Sequence, residues 1–96
     1  MNTIKLNNVE FAVESYNKNT TFSGETVSSN GYISFAPIDN IDALNTLSQS
    51  AITSIQILHD EKVIYDLQNI NAHVDSMNEY LSGDRMTIGV NLTFNI

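Results

Sequence analysis

The sequence predicts a mainly β domain: an antiparallel β-sandwich or partly open barrel of about six or seven strands, with one short helix over about residues 40–49. Three observations lead there. The stretch RMTIGVNLTFNI alternates strictly, with Met86, Ile88, Val90, Leu92, Phe94 and Ile96 apolar and Thr87, Gly89, Asn91, Thr93 and Asn95 between them. Successive side chains leave a strand on opposite faces, so this alternation marks a half-buried strand. Two polar segments, HDEK at 59–62 and SGD at 82–84, each separate β-patterned runs and mark hairpins. Only DNIDALNTLSQS has helical spacing, so the regular βα alternation of a parallel sheet is missing.

The elements follow in order. TIKLNNVEFAVESY presents Ile4 and Leu6, then Asn7 and Asn8, then Val9, Phe11 and Val13 alternating with Glu10, Ala12 and Glu14. Asparagine tolerates turn and left-handed backbone, so this is two short strands or one strand bent at the Asn pair. Residues 17–31, NKNTTFSGETVSSNG, hold isolated Phe22 and Val27 in a polar background. A surface loop plus an edge strand over Phe22–Ser28 is the favoured reading, with a polar hairpin as the alternative. GYISFAP sets Tyr32, Ser34 and Ala36 against Ile33 and Phe35, and Pro37, having no N–H, ends the ladder. In the helix Ile41, Leu44, Leu47 and Ser48 form a narrow stripe; Asp39 or Asn40 can cap its first turn, and Asp42 suits its positive end. Four β segments follow: AITSIQIL, KVIYDL, INAHVDSM and DRMTIGVNLTFNI. Because the QNIN link between the two hairpins is short, all four are expected to be sequential neighbours in a meander.

Composition restricts function. The 96 residues form one domain, 1–96, and a hydrophobic content of 42% is that of a folding chain. Four cations, Lys5, Lys18, Lys62 and Arg85, stand against eleven acidic residues, for a net charge of −7. Phosphate contacts need clustered cations, so neither nucleic acid nor an anionic membrane surface is an expected partner. No apolar run reaches the roughly 18–20 residues of a membrane span, and MNTIKLNNVEF lacks the basic start and apolar core of a secretory signal. A soluble protein made in the cytoplasm is expected. Without cysteine there is no disulfide, thiolate metal site or cysteine nucleophile.

Little in the chain suggests catalysis. His59 beside Asp60 and Glu61 is a conceivable weak metal cluster, but a structural site wants about four converging ligands, and a solvated turn explains the residues better. His73 shares a strand phase with Asn71 and Asp75, so it falls on the polar face; a Ser/His/Asp set also needs an orienting buried carboxylate and an oxyanion hole. Glu10 and Glu14 lie on the order of 13 Å apart along a strand, beyond the roughly 5–10 Å of glycosidase pairs. DNID at 39–42 lacks the oxygen spacing and glycine of a calcium loop. The glycines at 24, 31, 83 and 89 are isolated, so no phosphate or dinucleotide loop is present. The expectation is a non-enzyme with no cofactor and no metal. Tyr16, Tyr32, Tyr65 and Tyr80 could form a sugar platform, although strand tyrosines are commonly packing residues.

What remains is smallness, acidity, many strands and a terminal strand whose odd face is small and polar. Edges pair readily with other chains, which makes assembly the natural role. Phe22 in the 17–31 segment and Gly89, Asn91, Thr93 and Asn95 on the terminal strand are the candidate protein–protein contacts. In its Asn-rich, lysine-poor composition and in LNNVEFAVESYNKNT, ITSIQILHDEKVIYDL and NEYLSGDRMTIGVNLTF, the chain resembles the short β-rich virion proteins of tailed bacteriophages. That resemblance implies a non-enzymatic subunit, present in many copies on a particle as capsid decoration, connector or tail component. Its partners would be other structural subunits or copies of itself, and its location the virion. The alternative is a small carbohydrate- or receptor-binding β module.

Overall fold

The computed structural model describes residues 1–36 and 41–95. Seven strands are present: β1 (Asn2–Leu6), β2 (Val9–Ser23), β3 (Thr26–Phe35), β4 (Ile55–His59), β5 (Lys62–Leu67), β6 (Asn71–Ser82) and β7 (Arg85–Asn95). One helix, α1 (Ile41–Ser48), joins the two halves of the chain. The candidate caps Asp39 and Asn40, the stop at Pro37 and the last residue, Ile96, lie outside the described residues.

All seven strands form one antiparallel sheet, in the order β5-β4-β1-β2-β3-β7-β6. It does not close into a barrel. Its long strand β2 serves two neighbourhoods: Val9–Ala12 pairs with β1, and Val13–Ser23 pairs with β3. The register slips between Val13 and Ser15, where the two pairings change over. A bulge of this kind adds one residue and bends the strand. It also keeps Val13 and Tyr16 on the same inner face although they are three apart.

The tight turns use residues that tolerate positive φ. Asn7 and Asn8 (φ 51° and 69°) connect β1 to β2, and Asp60 and Glu61 (φ 49° and 71°) connect β4 to β5, as type I′ hairpins require. The β2–β3 and β6–β7 hairpins instead place Gly24 and Gly83 at positive φ.

The inner face carries the core. Ile4, Leu6, Phe11, Ile33, Phe35, Ile55, Val90 and Leu92 are buried there, joined by Leu44 and Leu47 from α1. Phe11 and Phe35 meet edge to face at 5.5 Å. The free edges of the sheet, β5 and β6, are drawn toward each other by the segment preceding β4. Ile52 exchanges backbone hydrogen bonds with Ala72 at 2.7 and 3.0 Å, and Ile70 N–H donates to the Thr53 carbonyl at 3.1 Å. Across the same interior Tyr16 on β2 and Tyr65 on β5 share a hydroxyl hydrogen bond of 3.4 Å.

This pair has a consequence for pH. Burial, then the hydrogen bond and charge of Tyr65, push the Tyr16 phenol well above its ordinary value of 10.0. A group whose pKa rises on folding contributes stability that is complete below its unfolded pKa and is lost as pH climbs beyond it. The urea midpoint is therefore expected to fall above pH 10, and Tyr16→Phe to flatten that fall.

Three expectations need correction. Residues 17–31 are not a loop with an edge strand but the paired outer halves of β2 and β3, since strands exposed on both faces carry no apolar alternation. The last four strands are not all sequential neighbours, because β5 and β6 occupy opposite edges of the curled sheet and do not pair with each other. Finally, β7 has no free edge: β3 flanks it on one side and β6 on the other. Its alternation does mark core at Val90, Leu92 and Phe94, but Ile88 is half-buried and Met86 is 52% exposed, because the β6–β7 hairpin outruns the core. No helix among the described residues is long and apolar enough to cross a membrane.

Candidate functional site

The outer face of β2, β3, β7 and β6 is built from cross-strand rows. Asn17, Tyr32, Asn91 and Ser76 stand opposite one another in turn, and the next row is Asn19, Asn30, Thr93 and His73. A further row is Ser15, Ser34, Gly89 and Asn78. Directly opposed residues share a face at about 4.5–5.5 Å between Cβ atoms, so each row is a contiguous polar strip. The register slip in β6 between Val74 and Ser76 pushes Asp75 out beside them. Together these strands form a groove of about 440 Å³ lined by Asn17, Tyr32 and Asn91 of the first row, Asn19, Asn30 and Thr93 of the second, and Asp75.

Most polar groups on this face are tied to one another. Asn91 donates to the Ser76 hydroxyl at 2.9 Å, and the Thr93 hydroxyl donates to Asp75. The other Asp75 oxygen lies 3.0 Å from His73 Nε2, while the Asn95 amide donates to His73 Nδ1 at 3.2 Å. An amide donating to Nδ1 leaves the imidazole proton on Nε2, facing the carboxylate. His73 and Asp75 thus meet as a pair, but the Thr93 hydroxyl binds Asp75 and not the imidazole. Among the described residues no hydroxyl is hydrogen-bonded to this histidine, whose partners are Asn95 and Asp75.

Tyr32 and Tyr80 share a hydroxyl hydrogen bond of 3.3 Å, and Ser34 lies 3.4 Å from the Tyr80 oxygen. Donation from Ser34, then from Tyr32, draws the Tyr80 phenol below its usual range, while Tyr32, hydrogen-bonded to Tyr80, is pushed up. The Tyr32 ring lies over Gly89, and a Cβ there would come within 2.8 Å of the ring carbon Cζ. Gly89→Ala is therefore expected to displace Tyr32 and break its bond to Tyr80, at a cost of only about 1 kcal/mol, since the clash is with the hydroxyl end of a half-exposed side chain that can swing aside. Tyr32 ring shifts by NMR, with the melting temperature, check this; an unmoved ring would count against it.

The sequence-derived contact residues are placed unequally. Phe22 is 74% exposed near the tip of the β2–β3 hairpin. Asn91 and Thr93 are half-buried in the groove, and Asn95 is exposed at its end. Gly89 is buried beneath Tyr32, so it cannot be a surface contact and instead makes room for the ring. The four tyrosines do not form one platform: Tyr16 and Tyr65 pair on the inside, Tyr32 and Tyr80 on the outside. His59 Nδ1 lies 2.7 Å from the Asn2 side-chain oxygen, and among the described residues no three His, Cys, Asp or Glu converge as metal ligands. Glu14 is taken up by Arg85 at 2.6 Å. Asn17, Asn19 and Asn30 were missed because they fall in the stretch that reads as loop; the signal is the spacing of two between Asn17 and Asn19 on β2, which matches that of Asn91 and Thr93 on β7, while Asn30 on β3 is placed only by its pairing with Asn19. Compared with known protein families, curated proteins and solved structures, the chain matches none.

Proposed function

We propose that the chain is a non-enzymatic assembly subunit acting through protein–protein contacts, of the kind carried in repeated copies by tailed-bacteriophage virions as decoration, connector or tail components. The observation that carries this reading is the β2–β3 arm. Among the described residues β1 leaves β2 at Ala12 and β7 reaches β3 only from Ser29 onward, so Thr21 to Ser28 is a two-stranded ribbon. The molecule measures 45 Å along its longest axis, against 28 and 23 Å in the other directions. Two-stranded ribbons are marginal in water without a surface to lie on. This one also presents Phe22 opposite Val27, both exposed, which contribute nothing to the domain's own core. The β6–β7 hairpin ends likewise on exposed Leu81 opposite Met86, at the other end of the β3–β7 ladder. Apolar tips at opposite ends suit head-to-tail contacts that build rings or longer assemblies.

Sedimentation across a range of concentrations tests the contact, and mass spectrometry of purified particles tests the location. The wild-type chain is expected to associate with itself or with particle proteins. Phe22→Ser with Val27→Ser should abolish that association with little change in melting temperature, since exposed positions cost about 0.5 kcal/mol or less. A chain that stays monomeric at high concentration and is absent from purified particles would overturn the proposal.

A further inference from the structure

We propose that the groove across β2, β3, β7 and β6 is a binding site for an uncharged, hydroxyl-rich ligand, an oligosaccharide. This goes beyond the assembly reading and does not depend on it. Asn17, Asn19 and Asn30 make no side-chain hydrogen bond among the described residues, although their neighbours in the same rows are bonded to each other. Each amide offers two donors and an acceptor with two lone pairs. Asn19 and Asn30 are directly paired across the strands, so their amides stand side by side on one face. Adjacent amides of this kind can donate to one hydroxyl oxygen and accept from the next, the pattern that a vicinal diol presents.

The remaining chemistry of the groove narrows the class. Its one carboxylate, Asp75, is occupied by Thr93 and His73, and the nearest lysine on β2, Lys18, lies 5.1 Å over the Phe94 ring on the core side of the strand. No lysine or arginine is among the residues lining the groove, and on a chain of net charge −7 a phosphate, sulfate or carboxylate finds no counter-charge there. An apolar ligand would strip water from amides that it cannot satisfy. Tyr32, propped on Gly89 and bonded to Tyr80, supplies a fixed ring beside the amides against which the C–H face of a sugar can rest. A volume of about 440 Å³ falls within the range of small-ligand sites.

NMR titration of the isotope-labelled chain tests the site. The probes are neutral glucose-, mannose-, galactose- and N-acetylglucosamine-based hexamers, with a sulfated heparin hexamer as the anionic control. At least one neutral probe is expected to shift the side-chain amide signals of Asn17, Asn19 and Asn30 at millimolar concentration or below, and the sulfated probe to leave them unmoved. Asn30→Ala and Asn19→Ala, both at exposed positions, should each weaken that binding about tenfold, the loss of one or two hydrogen bonds, with the melting temperature unchanged. The proposal is overturned if no neutral probe moves these signals, if the sulfated probe binds more tightly, or if either variant binds like wild type. Amide signals that shift with protein concentration alone would also overturn it, since a second copy would then own this face. Failure here leaves the arm contact standing, because the Phe22 and Val27 variants report on a separate surface.

Discussion

Phe35→Ala is expected to destabilise the fold by about 3–5 kcal/mol, the usual cost of removing a fully buried phenylalanine. Phe35 has no solvent exposure and is the largest of the fully buried side chains. It pairs with Val13 on β2 beside the bulge and with Ile88 on β7, and its ring meets Phe11 at 5.5 Å. Bonded on both sides within a curled sheet, the backbone there has little freedom to collapse into the space left behind. A domain of this size loses about 4–8 °C of melting temperature per kcal/mol, so the drop should be at least about 12 °C. Phe22→Ala provides the contrast, since its ring is 74% exposed and its loss should cost about 0.5 kcal/mol or less. Urea unfolding of the two variants checks both values. A Phe35→Ala cost below about 1 kcal/mol would mean that Phe35 does not occupy the core.

The same two residues show what the sequence makes legible. Phe35 alternates with Ser34 and Tyr32 beside a proline, and period two is enough to put it inside. Phe22 sits among residues that face water on both sides of a ribbon, where no alternation is selected, and a long polar strand then resembles a loop. Periodicity reports a face, not an extent: Met86 keeps the phase of Val90 and Leu92 but lies beyond the core. Nor does it name neighbours. The apolar pattern of β7 is the same whether one edge or both are paired, and only the approach of β3 over Ser29–Phe35 decides.

The bulges were visible as phase slips, three residues from Val13 to Tyr16 and three from Val74 to Met77 on the inner face. Each slip could have located the place where the sheet bends and where Asp75 is turned toward the groove. The groove itself was not legible. It depends on two rows crossing four strands, and three of their eight residues, Asn17, Asn19 and Asn30, come from the stretch that reads as loop.

Asn7→Ala is expected to cost about 2–4 kcal/mol, a large effect for an exposed turn residue. Part of this is the turn: Asn7 has φ 51°, which asparagine tolerates and alanine resists by about 1–2 kcal/mol. The larger part is a latch. Asn7 Oδ1 accepts hydrogen bonds from Thr53 N–H at 2.8 Å, the Thr53 hydroxyl at 3.1 Å and Ser54 N–H at 3.3 Å, and Asn7 Nδ2 donates to the Ala51 carbonyl at 2.9 Å. Each contributes about 0.5–1.5 kcal/mol net, toward the lower end in an exposed site. The segment held in this way is the one whose Ile52 bridges Ala72, so the β1–β2 turn indirectly holds β6 against the other edge of the sheet. Asn7→Ala should therefore speed amide exchange at Ile52, Ile70 and Ala72 more than at Ile33 or Val90. Asn7→Gly keeps the backbone conformation and removes the latch, so it should recover only the turn share. Asn7→Asp keeps the acceptor and loses the donor to Ala51, and should fall between. Asn8 has φ 69° and no side-chain hydrogen bond among the described residues; Asn8→Gly should be neutral or slightly stabilising. Equal costs for alanine at Asn7 and Asn8, with unchanged exchange at Ile52 and Ala72, would refute the latch.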